Sequence, residues 1–200
     1  MAADDRHPSI SERAAAAVRL AQNGIKAMTT EKTLQTIVER ATAAVTLRPA
    51  LGQGTDTTVV HLRAGPTCEV EGGSWKIVTD LTPELGGSDN HPGPGVLFRA
   101  ALGSCFAHTA ALWAAKLGVP IDHLDVAVEA HHDARGLLGV DGTAPRFTGL
   151  RYQISVESPA PEEDVQRVLD AAHAHSPVND SLEHALTIEH DVQIVTPGSS

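Results

Sequence analysis

The chain has 200 residues, 42% of them apolar, and a formal net charge of −10. An acidic surface without a basic run excludes a nucleic-acid phosphate backbone as partner. Two cysteines are too few for a disulfide scaffold, and the charged start Met1-Ala-Ala-Asp-Asp-Arg-His-Pro8 has no apolar segment of a secretory signal, so a reducing cytoplasm is the expected setting.

Taken in order, Ser9-Ile-Ser-Glu12 has capping-box spacing and opens a predicted helix through Ala14 to Gln22, stopped near Asn23-Gly24. A second helix begins at Thr29 or Thr30 with Leu34, Ile37, Val38 and Val45 as its apolar stripe. Arg48-Pro49 to Thr55 reads as a linker, so residues 1–50 form a helical arm and 55–197 a second unit. From Thr57 the period changes to two. Val60 and Leu62 alternate in one strand and Cys68 and Val70 in the next, with Gly72-Gly73 as the hairpin turn before Trp75 to Thr79.

A long Pro/Gly-rich loop, Asp80 to Pro94, feeds a mostly apolar helix that ends at Gly118-Val-Pro120. Arg99 and His108 interrupt its apolar run, which favours a core or interface helix over a membrane span. Leu124, Val126, Val128 and Ala130 alternate in a strand, Arg135 to Gly142 forms a loop, and Phe147 to Val156 alternates again. Pro161-Glu-Glu-Asp164 opens a helix with Val165, Val168, Leu169 and Ala172 on one face. Leu186, Ile188, Val192 and Ile194 predict a final strand. Mixed elements without βαβ alternation give an α+β class with largely antiparallel sheet.

One stretch carries the chemistry: Leu102-Gly-Ser-Cys105 in the long helix. A lone thiol in an apolar helix is ordinarily packing. Here it follows Thr79-Asp-Leu-Thr-Pro83, Leu85-Gly-Gly87 and Gly93-Pro94, and precedes Arg135-Gly-Leu-Leu-Gly139 and Ser176-Pro-Val178 with Leu182. In that order and spacing the chain resembles the OsmC/Ohr superfamily of thiol peroxidases. The resemblance spans about Thr57 to Ile194 and leaves out residues 1–50. It implies antiparallel sheets around a long central helix, an intertwined homodimer, and Cys105 as the peroxidatic thiol; the helical arm of residues 1–50 is an N-terminal extension outside it.

Such a thiol attacks the O–O bond as thiolate and becomes a sulfenic acid. Cys105 lies about three turns into its helix, beyond the reach of the dipole. Activation therefore falls to side chains. His108, three residues on, is near the same face, and the arginine that the resemblance implies is assigned to Arg63, with Arg48 second. Arg99 lies about 120° around the helix from Cys105 and is not expected at the sulfur.

Two positions depart from the family pattern. Ser176 stands where active members carry a resolving cysteine, and Gly95 where they carry a glutamate that holds the arginine. Glu84 or Asp89 is the expected substitute holder, and Cys68 the alternative resolver, provided that its Cα comes within about 7 Å.

Phe98, Phe106 and Trp113 are expected to line a lipophilic pocket. The eleven histidines lack metal-ligand spacing, so no metal and no cofactor is expected. The implied function is reduction of organic hydroperoxides with an external thiol as reductant. The alternatives are a degraded dimeric module that binds a small lipophilic ligand or senses redox state, and a structural protein whose arm recruits a partner.

Overall fold

The computed structural model describes residues 31–184 and 186–195; the predicted helix over Ala14–Gln22 lies outside them. The element order is α1 (Glu31–Leu47), β1 (Thr58–Leu62), β2 (Cys68–Gly72), β3 (Trp75–Thr79), α2 (Pro94–Leu117), β4 (His123–His131), a short α3 (Ala134–Leu137), β5 (Gly149–Glu157), α4 (Glu162–His175) and α5 (Pro177–Glu183). The chain is mixed α and β with antiparallel sheets and a long central helix, as its patterning requires.

Helix α2 is fixed at both ends. Pro94 occupies its first turn, where no amide donor is needed, and Gly118 ends it at φ +67°, a conformation that costs a side chain steric strain. By length and composition it could cross a membrane. Instead it packs on β4, α4, α1 and α5, burying Leu102, Phe106, Ala110 and Ala114. Burying a side chain the size of Phe106 contributes roughly 2–3 kcal/mol. Gly103 sets the closeness of helix and sheet, since a Cβ there would stand 3.0 Å from Val128 Cγ2.

Strands β4 and β5 form one antiparallel pair, with Val126 opposite Ile154 and Val128 opposite Tyr152. Their inward residues alternate with exposed ones along nine residues each. Val168 and Ala172 of α4 complete the core.

Strands β1, β2 and β3 form a separate antiparallel meander. Its register places Val60, Val70 and Ile77 in one row and Leu62, Cys68 and Thr79 in the next. One face is therefore apolar and the other carries His61, Glu69, Glu71 and Lys76. Among the described residues much of the apolar face is exposed: Val60 is 58%, Leu62 68% and Trp75 76% exposed.

Two expectations change. The predicted final strand is absent: residues 186–195 form no ladder, and Leu186, Ile188, Val192 and Ile194 are all exposed, Ile188 by 87%. A strand exists only through a neighbour, and the described chain supplies none for this segment. The segment after Ser176 is a helix, α5. The Arg135 loop holds the short turn α3, whose Arg135 amide donates to the Asp133 carboxylate.

Candidate functional site around Cys105

Cys105 is half-buried on α2 and reduced, as is Cys68. Among the described residues its side-chain hydrogen-bond partner is Ser176, whose Oγ donates to Cys105 Sγ at 3.3 Å, across 71 residues of sequence. Ser176 is 0% exposed. It closes α4 and stands at the cap position of α5, where a serine hydroxyl ordinarily accepts an amide of the first turn. Here it makes no such bond; the hydroxyl is committed to sulfur instead. The contact sets a hydroxyl donor directly on the sulfur.

One turn beyond Ser176, the buried Asn179 ties two further groups to the site. Its Oδ1 accepts from the Tyr152 hydroxyl at 3.4 Å and its Nδ2 donates to Glu183 Oε1 at 3.1 Å. The same Glu183 oxygen lies 3.6 Å from His173 Nε2. Tyr152 rests against Phe106, the neighbour of Cys105, with ring centroids 5.3 Å apart. Burial first, and then the charges of Cys105 and Glu183, push the Tyr152 phenol up to about 12. It is thus a neutral O–H donor throughout the physiological range.

The remaining expected site residues are arranged differently. Arg63 pairs with Glu69, Nη2 to Oε2 at 2.8 Å, on the charged face of the meander and thus away from its apolar side. His108 is exposed on α2 and makes no hydrogen bond to the sulfur. Arg48 is exposed at the turn that follows α1. Arg99 folds back over the helix start, its Nη1 3.5 Å from where a Gly95 Cβ would be, as its angular position on α2 requires.

Glu84 lies in the turn Pro83–Leu85. The Thr82 hydroxyl holds its carboxyl below the usual carboxylate range, and no arginine meets it. Asp89, at φ 57°, likewise holds none. Cys68 sits on the apolar face of the meander with its Sγ 3.9 Å from Pro66 O, and no contact joins it to Cys105. Among the described residues, no guanidinium or imidazole hydrogen-bonds the Cys105 sulfur.

Phe98, Phe106 and Trp113 do not form a common pocket. Phe98 stacks on Phe147 at 4.7 Å, Phe106 is core, and Trp113 lies between the His175 ring at 4.5 Å and the Lys116 ammonium at 4.1 Å. A cleft of about 540 Å³ runs instead along the alanine face of α2, between Leu34 of α1, Ile121 and Leu169, with His108 among its lining; Cys105 does not line it. Among the described residues no group of three or more His, Cys, Asp or Glu is placed to hold a metal ion.

Tyr152, Asn179 and Glu183 escape a sequence reading, because they lie on two elements, β5 and α5, that only the fold unites. The available signals were the single tyrosine of the chain on an inward strand position, and Asn179 one turn after the Ser176 motif.

Comparison with known proteins converges on one family. A family model described as OsmC-like protein matches residues 87–191, more than half of the chain. An OsmC-like protein from Mycoplasma pneumoniae superposes with a TM-score of 0.58 at 16% identity, covering 66% of this chain and 89% of that one. An organic hydroperoxide resistance protein OsmC from Legionella pneumophila superposes with a TM-score of 0.51 at 18% identity, covering 64% and 89%. These identities speak for the fold. No curated protein sequence matches this one significantly.

Proposed function

The chain belongs to the OsmC-like protein family, and from that premise we propose that it reduces organic hydroperoxides through Cys105 in a cytoplasmic setting. The observation that carries the reading is the 3.3 Å contact between Cys105 Sγ and Ser176 Oγ. The sulfur attacks the O–O bond, an S–O bond forms, an alcohol leaves, and Cys105 becomes a sulfenic acid. Because Ser176 cannot form a disulfide, an external thiol reduces the sulfenic acid: its sulfur displaces water to give a mixed disulfide, and a second thiol releases Cys105.

The working unit in this reading is a homodimer. Support comes from the exposed apolar face of the meander and from the exposed apolar tail over residues 186–195. Together they exceed the scattered apolar exposure usual for a monomer. A cation that the single chain does not bring to the sulfur would then come from across the interface.

The test uses purified protein with cumene hydroperoxide and a thiol donor. Turnover is expected, and Cys105→Ser is expected to abolish it. Equal rates in that variant would refute the assignment.

A second reading has its own support. The cleft of about 540 Å³ is lined mainly by apolar side chains, and among the described residues no cation hydrogen-bonds the sulfur. These suit a dimeric module that binds a small lipophilic ligand. Saturable binding of a fluorescent fatty acid without sulfenate formation at low peroxide would favour it; rapid stoichiometric sulfenate formation would count against it.

A further inference from the structure

Cleaving a hydroperoxide leaves an alkoxide, a poor leaving group unless a proton reaches it as the O–O bond breaks. Resting on the peroxidase reading above, the site has to contain an O–H or N–H donor near the sulfur that is not already committed to it. The Ser176 proton is spent on Cys105 Sγ. His108 is exposed on α2 and lines the separate cleft. Arg63 is engaged by Glu69. Cys68 lies on the meander without contact to the site.

Among the described residues, the hydroxyl donor that the fold does set beside this corner is the phenol that packs on Phe106 and is hydrogen-bonded one turn beyond Ser176. We propose that Tyr152 protonates the departing alkoxide oxygen during peroxide reduction, and that Asn179, itself anchored by Glu183, is the positioning residue that aims the phenol.

The step balances. The Cys105 thiolate lends an electron pair to the near peroxide oxygen and an S–O bond forms. The O–O bond breaks, the Tyr152 proton passes to the far oxygen, and an alcohol leaves. Sulfur is oxidised by two electrons and the peroxide reduced by two. The tyrosinate left behind takes a proton from water at once, since its conjugate acid is a far weaker acid than any buffer component at neutral pH.

Asn179 suits its part. Its amide is held at both ends, by the Tyr152 hydroxyl and by Glu183. The Glu183 contact fixes which end accepts, so the phenol proton has one resting direction. Asn179 Oδ1 at 3.4 Å is a weak acceptor that a better one, such as a departing alkoxide, readily replaces.

The experiment compares two oxidants that differ in their need for a proton. Cumene hydroperoxide expels an alkoxide, whereas peracetic acid expels acetate, which leaves unprotonated. Sulfenate formation at Cys105 is followed in single turnover for wild type, Tyr152→Phe and Asn179→Ala, with circular dichroism recording the fold of each.

Tyr152→Phe is expected to slow the cumene hydroperoxide reaction about 100-fold and to leave the peracetic acid reaction within about 3-fold of wild type. Asn179→Ala is expected to give the same pattern with a smaller loss. Equal losses with both oxidants would mean a structural role and overturn the proposal, as would no loss with either. Wild-type protein that forms no sulfenate with either oxidant would overturn the peroxidase reading itself, and this step with it.

Discussion

Tyr152 is the single tyrosine in the chain, so its ionisation can be read without interference from another phenol. Its proton is bound more tightly in the folded state than in the unfolded one, because burial and neighbouring negative charge oppose the tyrosinate. The sign of the linkage follows. Below pH 10 both states hold the proton and the group adds no pH dependence. As pH rises from about 10 towards about 12 the unfolded chain releases it first, so the folded state loses relative stability in that window. An ultraviolet titration of tyrosinate absorbance should therefore give a midpoint near the upper end of that window. A midpoint at the ordinary phenol value would contradict the packing against Phe106 and the coupling to Cys105.

At the scale of elements, the decisive piece is the corner where α4 ends and α5 begins. Val168 and Ala172 seat α4 on α2, and the corner that follows carries Ser176 to Cys105 and Asn179 to Tyr152. The corner should deliver any side chain placed at position 176 to the same sulfur. A Ser176→Cys variant, treated with mild oxidant, is expected to form an intramolecular disulfide with Cys105 and lose two titratable thiols, while wild type forms none. The oxygen-to-sulfur distance of 3.3 Å needs to shorten by only about 1 Å to reach a normal S–S bond of ~2.05 Å. Retention of every thiol after oxidation would show that the corner does not hold that geometry.

This same corner marks how far the sequence can be read. The strands were legible because their side chains alternate, and α2 because Pro94 and Gly118-Val-Pro120 bracket it. Cys105 and Ser176 were legible through a motif order shared with a family. Within the chain Arg63 pairs with Glu69, a pairing the alternating pattern already contains. His61, Arg63 and Glu69 share one face of a two-period meander, and Glu69 claims the guanidinium first. Asn179 and Tyr152 were not legible at all, since hydrogen bonds between elements 27 residues apart depend on packing that no local period encodes. The tail over Leu186–Ile194 alternates as a strand should; alternation specifies a face but not a neighbour.

At the scale of the whole molecule, apolar surface is divided unevenly. The α2, β4, β5 and α4 layers enclose a core, while the meander and the tail present Val60, Leu62, Trp75, Ile77, Ile188 and Ile194 to solvent. Covering such surfaces with a second copy links folding to mass action. The melting temperature is therefore expected to rise with protein concentration, and sedimentation should give a dimer at micromolar protein. A concentration-independent melting temperature together with a monomeric mass would contradict that assembly.

The hydroxyl at position 176 has a consequence for how such a catalyst would behave in time. An oxygen atom cannot take the place of a sulfur in closing the cycle, so each reaction would leave the protein holding a chemical record of the oxidant it met. How long that record lasts would be set by the supply of small thiols around it, and the same molecule would work as a scavenger where they are plentiful and as an alarm where they run short.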